Sequence, residues 1–382
     1  MRLTERLDGL SALFTRLYGP GPIRFFRAAG RINIIGEHTD YNEGFVLPAA
    51  IDRSVLLAVR PRRDRMATIY SANLLLRSRF SLDRITRASQ PWSNYVRGVV
   101  WALQAEGARL PALDAAIEST VPIGAGLSSS AALEVAAAFA WQKMAGLKIP
   151  GPRLAVLCRR AENEFVGVPC GIMDQFAARM GKRGSAILLD CRSLQWQRIP
   201  LDDREISLVV ADTGVRRALA ASQYAVRRQQ CQQAVEHLRK WLPDIRSLRD
   251  VARADFDPLS RRLPTVLRRR ARHVITENER VHACARAIAA GDWDSVGALM
   301  NESHESLRTD YQVSSPELDD LVRLSRGAPG VLGARMMGAG FGGCALALVR
   351  KDAVDQLTAR ITKKYPQVFA CSIENGAEEI RK

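Results

Sequence analysis

The 382-residue sequence predicts an α+β fold, and three observations carry that expectation. Helical and strand-like periodicities are mixed along the chain without the regular βαβ alternation of a doubly wound sheet. Clusters of glycine and proline separate short β-rich runs from long helical ones. At roughly 100 to 200 residues per domain, the length predicts two domains, each large enough to bury a core without disulfide or metal staples.

Taken in order, Leu3, Leu7, Leu10, Phe14 and Leu17 recur at helical spacing with charges between them. They predict an amphipathic helix, unlike the uninterrupted apolar core of a signal peptide. Gly19-Pro20-Gly21-Pro22 ends it, and strand-like runs follow at Ser54–Val59 and Ala67–Tyr70. The alanine-rich run Ala131–Leu147 and the run Leu154–Phe165 read as helices, Ala186–Leu189 and Ile206–Val210 as buried strands. Helical patterns dominate Tyr224–Trp241 and Val266–Leu299; Cys344–Val349 is strand-like, and Asp352–Lys363 is helical again. There is no internal repeat of fixed period. A boundary is expected near residues 185 to 205, dividing the chain into 1–185 and 186–382.

Composition narrows the function classes. With 47% apolar and 25% charged residues, the chain is neither disordered nor a low-complexity scaffold. No run of eighteen apolar residues occurs, so no membrane partner is expected. Seven cysteines without a CxxC pair argue against a disulfide framework or a structural zinc site and for a reducing, cytoplasmic setting. A net charge of +16 would attract polyanions. Arg261, Arg262, Arg268, Arg269, Arg270 and Arg272 nevertheless read as a solvated basic face, with no accompanying motif of a specific nucleic-acid binder.

Four segments are candidates for chemistry. VPIGAGLSSSAALEVA (121–136) brings two glycines and three serines to the start of a helical run. Backbone N–H groups and the helix dipole favour phosphate there, and the hydroxyls of Ser128, Ser129 and Ser130 add donors and a possible Mg²⁺ ligand. A glycine turn with a serine N-cap is the plain alternative. GRINIIGEHTDYNEG (30–44) sets Arg31, Glu37, His38 and Asp40 close together, a donor and acceptor set suited to a polyhydroxylated ligand; a solvated polar turn, or a metal site with one histidine too few, would also explain Glu37, His38 and Asp40. MMGAGFGGCALALV (336–349) contains a formal GxGxxG, but its glycines precede a strand-like run, so it is no dinucleotide fingerprint and shows only close backbone approach, to a ligand or to another loop. AENEFVGVPCGIMDQFAARMG (161–181) places Asp174 among apolar and small residues, where a carboxylate must be paired or functional. By itself, Glu162 reads as an exposed helical glutamate.

Together these residues resemble the galactokinase family of the GHMP small-molecule kinases, almost from end to end. GRINIIGEHTDYNEG is the most specific segment, supported by PWSNYVRGV (91–99), LDCRSL (189–194), SQYAVRRQQC (222–231) and ESHESLRTDYQVSSPELD (302–319). The resemblance implies a two-lobed fold, an N-terminal mixed-sheet lobe and a C-terminal ferredoxin-like lobe with the active site between them. It implies transfer of the ATP γ-phosphate to the anomeric hydroxyl of α-D-galactose, with Mg²⁺, in a monomer or weak homo-oligomer. Residue by residue, Asp174 would face the sugar O1, and Arg31 would sit beside O1 and the γ-phosphate. Glu37, His38, Asp40, Gly171 and Tyr224 would bind the other hydroxyls. Ser130 and Glu162 match the family's Mg²⁺ ligands; Gly124, Gly126, Ser128 and Ser129 match its triphosphate cradle, and Trp92 and Tyr95 lie near the adenine in that pattern. Phosphoryl transfer is often loose, so Asp174 is expected to orient the hydroxyl or accept its proton late. Ala29, Met337 and Ala339 depart from the family pattern, which commonly has proline, threonine and glycine there. Related sugar kinases, for N-acetylgalactosamine or arabinose, share most of these motifs.

Overall fold

The computed structural model describes residues 2–202, 204–215 and 220–381; the side chains of residues 220–222, Ser222 of the segment 222–231 among them, lie outside that description. Helix α1 (Leu3–Tyr18) buries Leu7, Leu10 and Phe14, the stripe its spacing predicts, against Phe25, Leu56 and Ala116 of the first sheet. Then come β1 (Arg24–Asn33), β2 (Phe45–Val46), β3 (Pro48–Pro61), β4 (Met66–Ser71), β5 (Leu76–Ser81), α2 (Pro91–Ala105) and β6 (Leu113–Ser119). α3 (Ser129–Met144), α4 (Gly151–Arg160) and α5 (Met173–Met180) lead to β7 (Ser185–Asp190), β8 (Trp196–Pro200) and β9 (Ile206–Asp212). The remaining helices are α6 (Ala220–Leu238), α7 (Arg253–Leu259), α8 (Thr265–Ala290), α9 (Trp293–Ser306) and α10 (Pro316–Arg326). β10 (Val331–Met336), β11 (Cys344–Arg350), α11 (Val354–Thr362), β12 (Gln367–Cys371) and β13 (Glu378–Ile380) close the chain.

Two main sheets result, and the α+β expectation holds. The first runs β13-β1-β3-β6-β4-β5 and is mixed, since only β4 and β6 pair in parallel. The second runs β10-β11-β9-β12 and is antiparallel. A small sheet, β2-β7-β8, ties Ser185–Pro200 back to Phe45–Val46. Pairing therefore attaches β7 and β8, placed after the expected division at 185, to elements before it. The chain enters the second sheet only at Ile206, and β13 returns to pair with β1. Sequence composition carries no mark of that return, because pairing partners are chosen by long-range register.

Three local features differ from the sequence reading. The helix expected over Leu154–Phe165 ends as α4 at Arg160 and continues as a wider π-helical turn over Ala161–Val166. Such turns re-aim side chains, and Glu162, read as exposed, is 5% accessible. The pattern over Val266–Leu299 breaks at Gly291, which adopts φ +70°, and Asp292 caps the next helix by accepting from the Ser295 N–H. The basic face is incomplete as well: Arg270 is 2% accessible, its guanidinium spent on Gln230, the Asp310 carbonyl and Gln312. It lies on the helix face that also buries Leu267, Ala271 and Val274, so the fold uses it as an internal tie. Among the described residues no helix is long and apolar enough to cross a membrane, and all seven cysteines are free thiols.

Candidate active site

The site is assembled around β1. Between Ala29 and Arg31 the register of β1 against β3 shifts by a bulge, which bends the strand and re-aims the side chains after it. Ala29 precedes the bulge, a place where a sheet also tolerates proline, so this departure from the family pattern is structurally mild. At Gly30 an added Cβ would lie 3.0 Å from the Leu127 carbonyl, and the Arg31 N–H donates to that same carbonyl at 3.2 Å. The serine-rich turn is thereby stitched directly to the strand that carries Arg31.

Arg31, 4% accessible, spans two segments far from it in the chain. Its Nε donates to Asp174 Oδ1 at 2.8 Å and its Nη2 lies 2.7 Å from the same oxygen, while Nη1 donates to the Gly126 carbonyl at 2.6 Å. Asp174 stands in the first turn of α5, where the helix dipole favours a carboxylate. Its other oxygen, Oδ2, accepts from Ser128 Oγ at 2.5 Å. Ser128 adopts φ +60° at the start of α3 and makes no side-chain cap there. Its hydroxyl is thus directed to Asp174, although the sequence pattern put it among the phosphate donors; the uncapped first turn of α3 keeps the character of an anion site.

Two cavities flank this turn. One, of about 310 Å³, is lined by Arg31, Glu37, His38, Asp40, Gly171, Asp174 and Tyr224, bringing together every residue assigned to the sugar, with Tyr41, Cys170 and Ala339 besides. The other, of about 340 Å³, is lined by Trp92, Tyr95, Gly124, Ser129 and Ser130, together with Asn73, Leu133 and others. Gly126 and Ser128, from the same nucleotide set, lie between them through their bonds to Arg31 and Asp174.

The polar segment is buried over 36–39 and Asp40 is half-buried, which removes the solvated-turn alternative. Glu37 and His38 are 2% and 4% accessible. The Gly36 and Glu37 N–H groups donate to Glu277 Oε1 on α8, Thr39 Oγ1 donates to the Gly36 and Phe45 carbonyls, and Asn42 Nδ2 donates to the His38 carbonyl. Glu37 Oε1 accepts from the Gly338 N–H at 3.0 Å and lies 3.4 Å from Arg335 Nη2. Arg335 itself is fully buried and donates to the Asn33 and Ile34 carbonyls. The glycine loop after β10 thus packs against another loop: a Cβ on Gly338 would meet Gly126 Cα at 3.2 Å, and one on Gly343 the Ala125 carbonyl at 3.3 Å. Met337 is a buried core residue, and Ala339, whose φ is not positive, reaches the cavity wall without backbone strain.

Burial sets the electrostatics. It raises the Glu37 carboxyl above its ordinary range despite Arg335 and Arg31. Burial, and then the Asp174 charge, push Asp40 up to about 7. Burial, His273 and Arg227 hold His38 down to about 3, so its imidazole is neutral. Glu162, which lines neither cavity, is raised to about 7 by burial and then by Asp174; it accepts from Gln175 Nε2 at 2.6 Å, and Ser130 lies close enough to favour its charged form. Ser130 and Glu162 are hard oxygen donors, and one Oε of the neighbouring, fully buried Glu134 has no hydrogen-bond partner. No cluster of three or more His, Cys, Asp or Glu suited to a metal occurs among the described residues. Two protein oxygens near an open helix N-terminus are a donor set that would fit Mg²⁺, which keeps waters and takes few protein ligands.

Sequence reasoning missed Glu277, Arg335, Tyr41, Tyr311 and Gln175. For Glu277 the signal was present: it sits on the face of α8 that buries Val274 and Val281, and a carboxylate in an apolar stripe demands a partner. Burial would raise it, but Arg280, His273 and Arg335 outweigh that and hold it down to about 2.

Known proteins share this sequence and this fold. Family models match for the GHMP kinases N terminal domain over residues 94–182, the galactokinase galactose-binding signature over 12–61 and the GHMP kinases C terminal over 284–367. The galactokinase of Roseiflexus sp. (strain RS-1) is 46% identical over 374 residues, covering 96% of this chain and 95% of that protein. The galactokinase of Homo sapiens is 40% identical, covering 95% and 93%. The structure of Lactococcus lactis galactokinase complexed with galactose superposes with a TM-score of 0.94 at 35% identity, covering 98% of this chain and all of that one. Methanococcus jannaschii mevalonate kinase, at 18% identity and a TM-score of 0.66 over 93% of this chain and 99% of its own, shares the fold.

Proposed function

Because this chain belongs to the galactokinase family of GHMP kinases, we infer that it transfers the γ-phosphate of ATP to the anomeric hydroxyl of α-D-galactose, with Asp174 and Arg31 as the catalytic pair. The observation that supports these roles is their direct contact on the wall of the polar cavity, next to the serine turn. Galactose occupies that cavity with O1 toward Asp174, and Glu37, His38, Asp40, Gly171 and Tyr224 meet the other hydroxyls. ATP occupies the second cavity, with adenine near Trp92 and Tyr95 and phosphates over Gly124–Ser130.

Asp174 holds the O1 hydroxyl in line and takes its proton as the O–P bond forms; Ser128 and Arg31 fix both carboxylate oxygens so that this orientation is set before substrate arrives. Arg31 supplies positive charge where negative charge gathers on the transferring group. Ser130 and Glu162 would hold Mg²⁺, which would supply charge neutralisation to the phosphates. All these residues come from one chain, which supports action as a monomer, and the seven free thiols suit a reducing cytoplasm.

The reading is tested by ADP release with galactose, glucose, N-acetylgalactosamine and arabinose, with and without Mg²⁺. Galactose with Mg²⁺ should be turned over best; preference for the 2-acetamido sugar would overturn the assignment. A second expectation concerns Gly171, where an added Cβ would lie 1.8 Å from Asp40 Oδ2. Gly171→Ala should push Asp40 off its sugar contact and raise the galactose KM by about tenfold, the loss of one charged hydrogen bond, while the ATP KM moves little. Equal changes in both constants would mean that the substitution acts on the whole fold.

A further inference from the structure

Behind the sugar cavity a buried chain of hydroxyl groups ends on an imidazole. Cys231 Sγ lies 3.1 Å from the Tyr311 hydroxyl, that hydroxyl lies 2.7 Å from the Tyr41 hydroxyl, and the Tyr41 hydroxyl lies 2.8 Å from His38 Nδ1. The rings hold one another in place: Tyr311 packs against His38 at 4.8 Å and His273 at 4.5 Å between centroids, and Tyr41 stands edge-on to Tyr224 at 4.9 Å. Cys231, Tyr311 and His38 are all nine-tenths buried or more. The other ring nitrogen, His38 Nε2, is buried and makes no hydrogen bond of ordinary geometry, though the main chain of Ala339, which lines the cavity as His38 does, lies near the ring.

Each hydroxyl has one proton, so the chain must run in one direction. If it runs toward the imidazole, Tyr41 donates to Nδ1 and His38 carries its proton on Nε2. If it runs the other way, Nδ1 donates to Tyr41 and the chain ends on a thiol sulfur, a weak acceptor. A neutral imidazole nitrogen is a far better acceptor than a thiol, so the first direction is the more stable. The neighbouring imidazole offers a contrast. His273 Nε2 lies 3.0 Å from the Glu37 carbonyl, which can only accept, so the main chain alone settles its proton, and Nδ1 accepts from Ser306 Oγ at 2.9 Å. His38 has no such carbonyl on Nδ1, where the phenols act; on the other side of the ring the Ala339 main chain favours a proton in the same sense, but without a hydrogen bond of ordinary geometry.

From this geometry we propose that Tyr41 and Tyr311 are positioning residues that lock His38 as the Nε2–H tautomer, making it a hydrogen-bond donor to a galactose oxygen. The inference rests on the sugar assignment above for its consequence, but not for the tautomer. That consequence matters because the cavity is rich in acceptors: Glu37, Asp40 and Asp174 line it, and Arg31 already serves Asp174 and Gly126. Sugar hydroxyls can give their protons to carboxylates, yet their oxygens then lack donors. A locked N–H supplies one and disfavours a ligand whose group at that position can only donate.

The chain has five histidines, which makes the test practical. Protein labelled with ¹⁵N-histidine is examined by long-range ¹H–¹⁵N correlation without sugar, the His38 signals being assigned with His38→Gln. The expected result is a bare Nδ1 and a protonated Nε2; a protonated Nδ1 overturns the proposal whatever the enzyme phosphorylates. Tyr41→Phe should then mix or invert the two tautomers and raise the galactose KM by about tenfold with a much smaller change in kcat. Tyr311→Phe, one bond further away, should do the same more weakly. Retention of the wild-type tautomer in both variants would also overturn the proposal. Monodeoxy and monofluoro galactoses at the non-reacting positions complete the test: fluorine accepts but cannot donate, so at the position facing His38 the fluoro sugar should outperform the deoxy sugar, and Tyr41→Phe should erase that advantage. Absence of turnover with any galactose would instead count against the functional assignment and leave the tautomer result standing.

Discussion

Asp174→Ala is expected to lower kcat at saturating sugar and ATP by about a hundredfold to ten-thousandfold, the range for losing a positioned proton acceptor. The expectation follows from how completely the carboxylate is held. One oxygen is shared by two nitrogens of Arg31, the other takes the Ser128 hydroxyl at 2.5 Å, and the side chain remains 31% accessible, enough to meet a ligand in the cavity. A loose transition state asks for little basicity but much alignment, so the loss should fall on kcat more than on KM. Removing the carboxylate also strips Arg31 of its charge partner at a nearly buried position, so a thermal melt must accompany the assay. Asp174→Asn, which keeps the shape, separates the two effects: it should stay folded and still be slow. Near-normal turnover by a folded alanine variant would remove Asp174 from the chemistry.

The second large effect is expected at Arg31. Arg31→Ala should reduce kcat by about a hundredfold to a thousandfold, as loss of an electrostatic donor does elsewhere, with a smaller rise in the ATP KM. The guanidinium does two things at once in the free protein: it grips Asp174 and it anchors the serine turn through the Gly126 carbonyl. Lysine offers charge but not the planar fork needed for both contacts, so Arg31→Lys should recover only part of the loss. If kcat held and only the ATP KM rose, Arg31 would be a nucleotide-binding residue with no special part in the transition state.

Several elements were legible from residue order because their causes are local. The spacing of Leu7, Leu10 and Phe14 defines the buried face of α1, and the serine turn followed by an alanine run marks the start of α3. Asp174 was conspicuous as a carboxylate among small and apolar residues. The π-helical turn that buries Glu162 was not legible, since one additional residue in a helical turn leaves no signature in hydrophobic spacing. Nor was the burial of Arg270, which looked like its exposed neighbours because sequence clustering of charge does not say which side of a helix is covered.

By itself, the sequence determined the fold class, the helical and strand segments with strong periodicity, and the residue types that a sugar and a phosphate would require. Those follow from local propensity and hydrophobic spacing, which act over a few residues. Only the tertiary structure decided that Arg31 and Asp174, 143 positions apart, share a salt bridge, that Glu277 and Arg335 grip the polar segment from distant elements, and that two tyrosines back His38. The reason is physical: the energy of a buried charge or hydrogen bond depends on which partners surround it once water is excluded, and those partners are selected by packing and strand register across the whole chain.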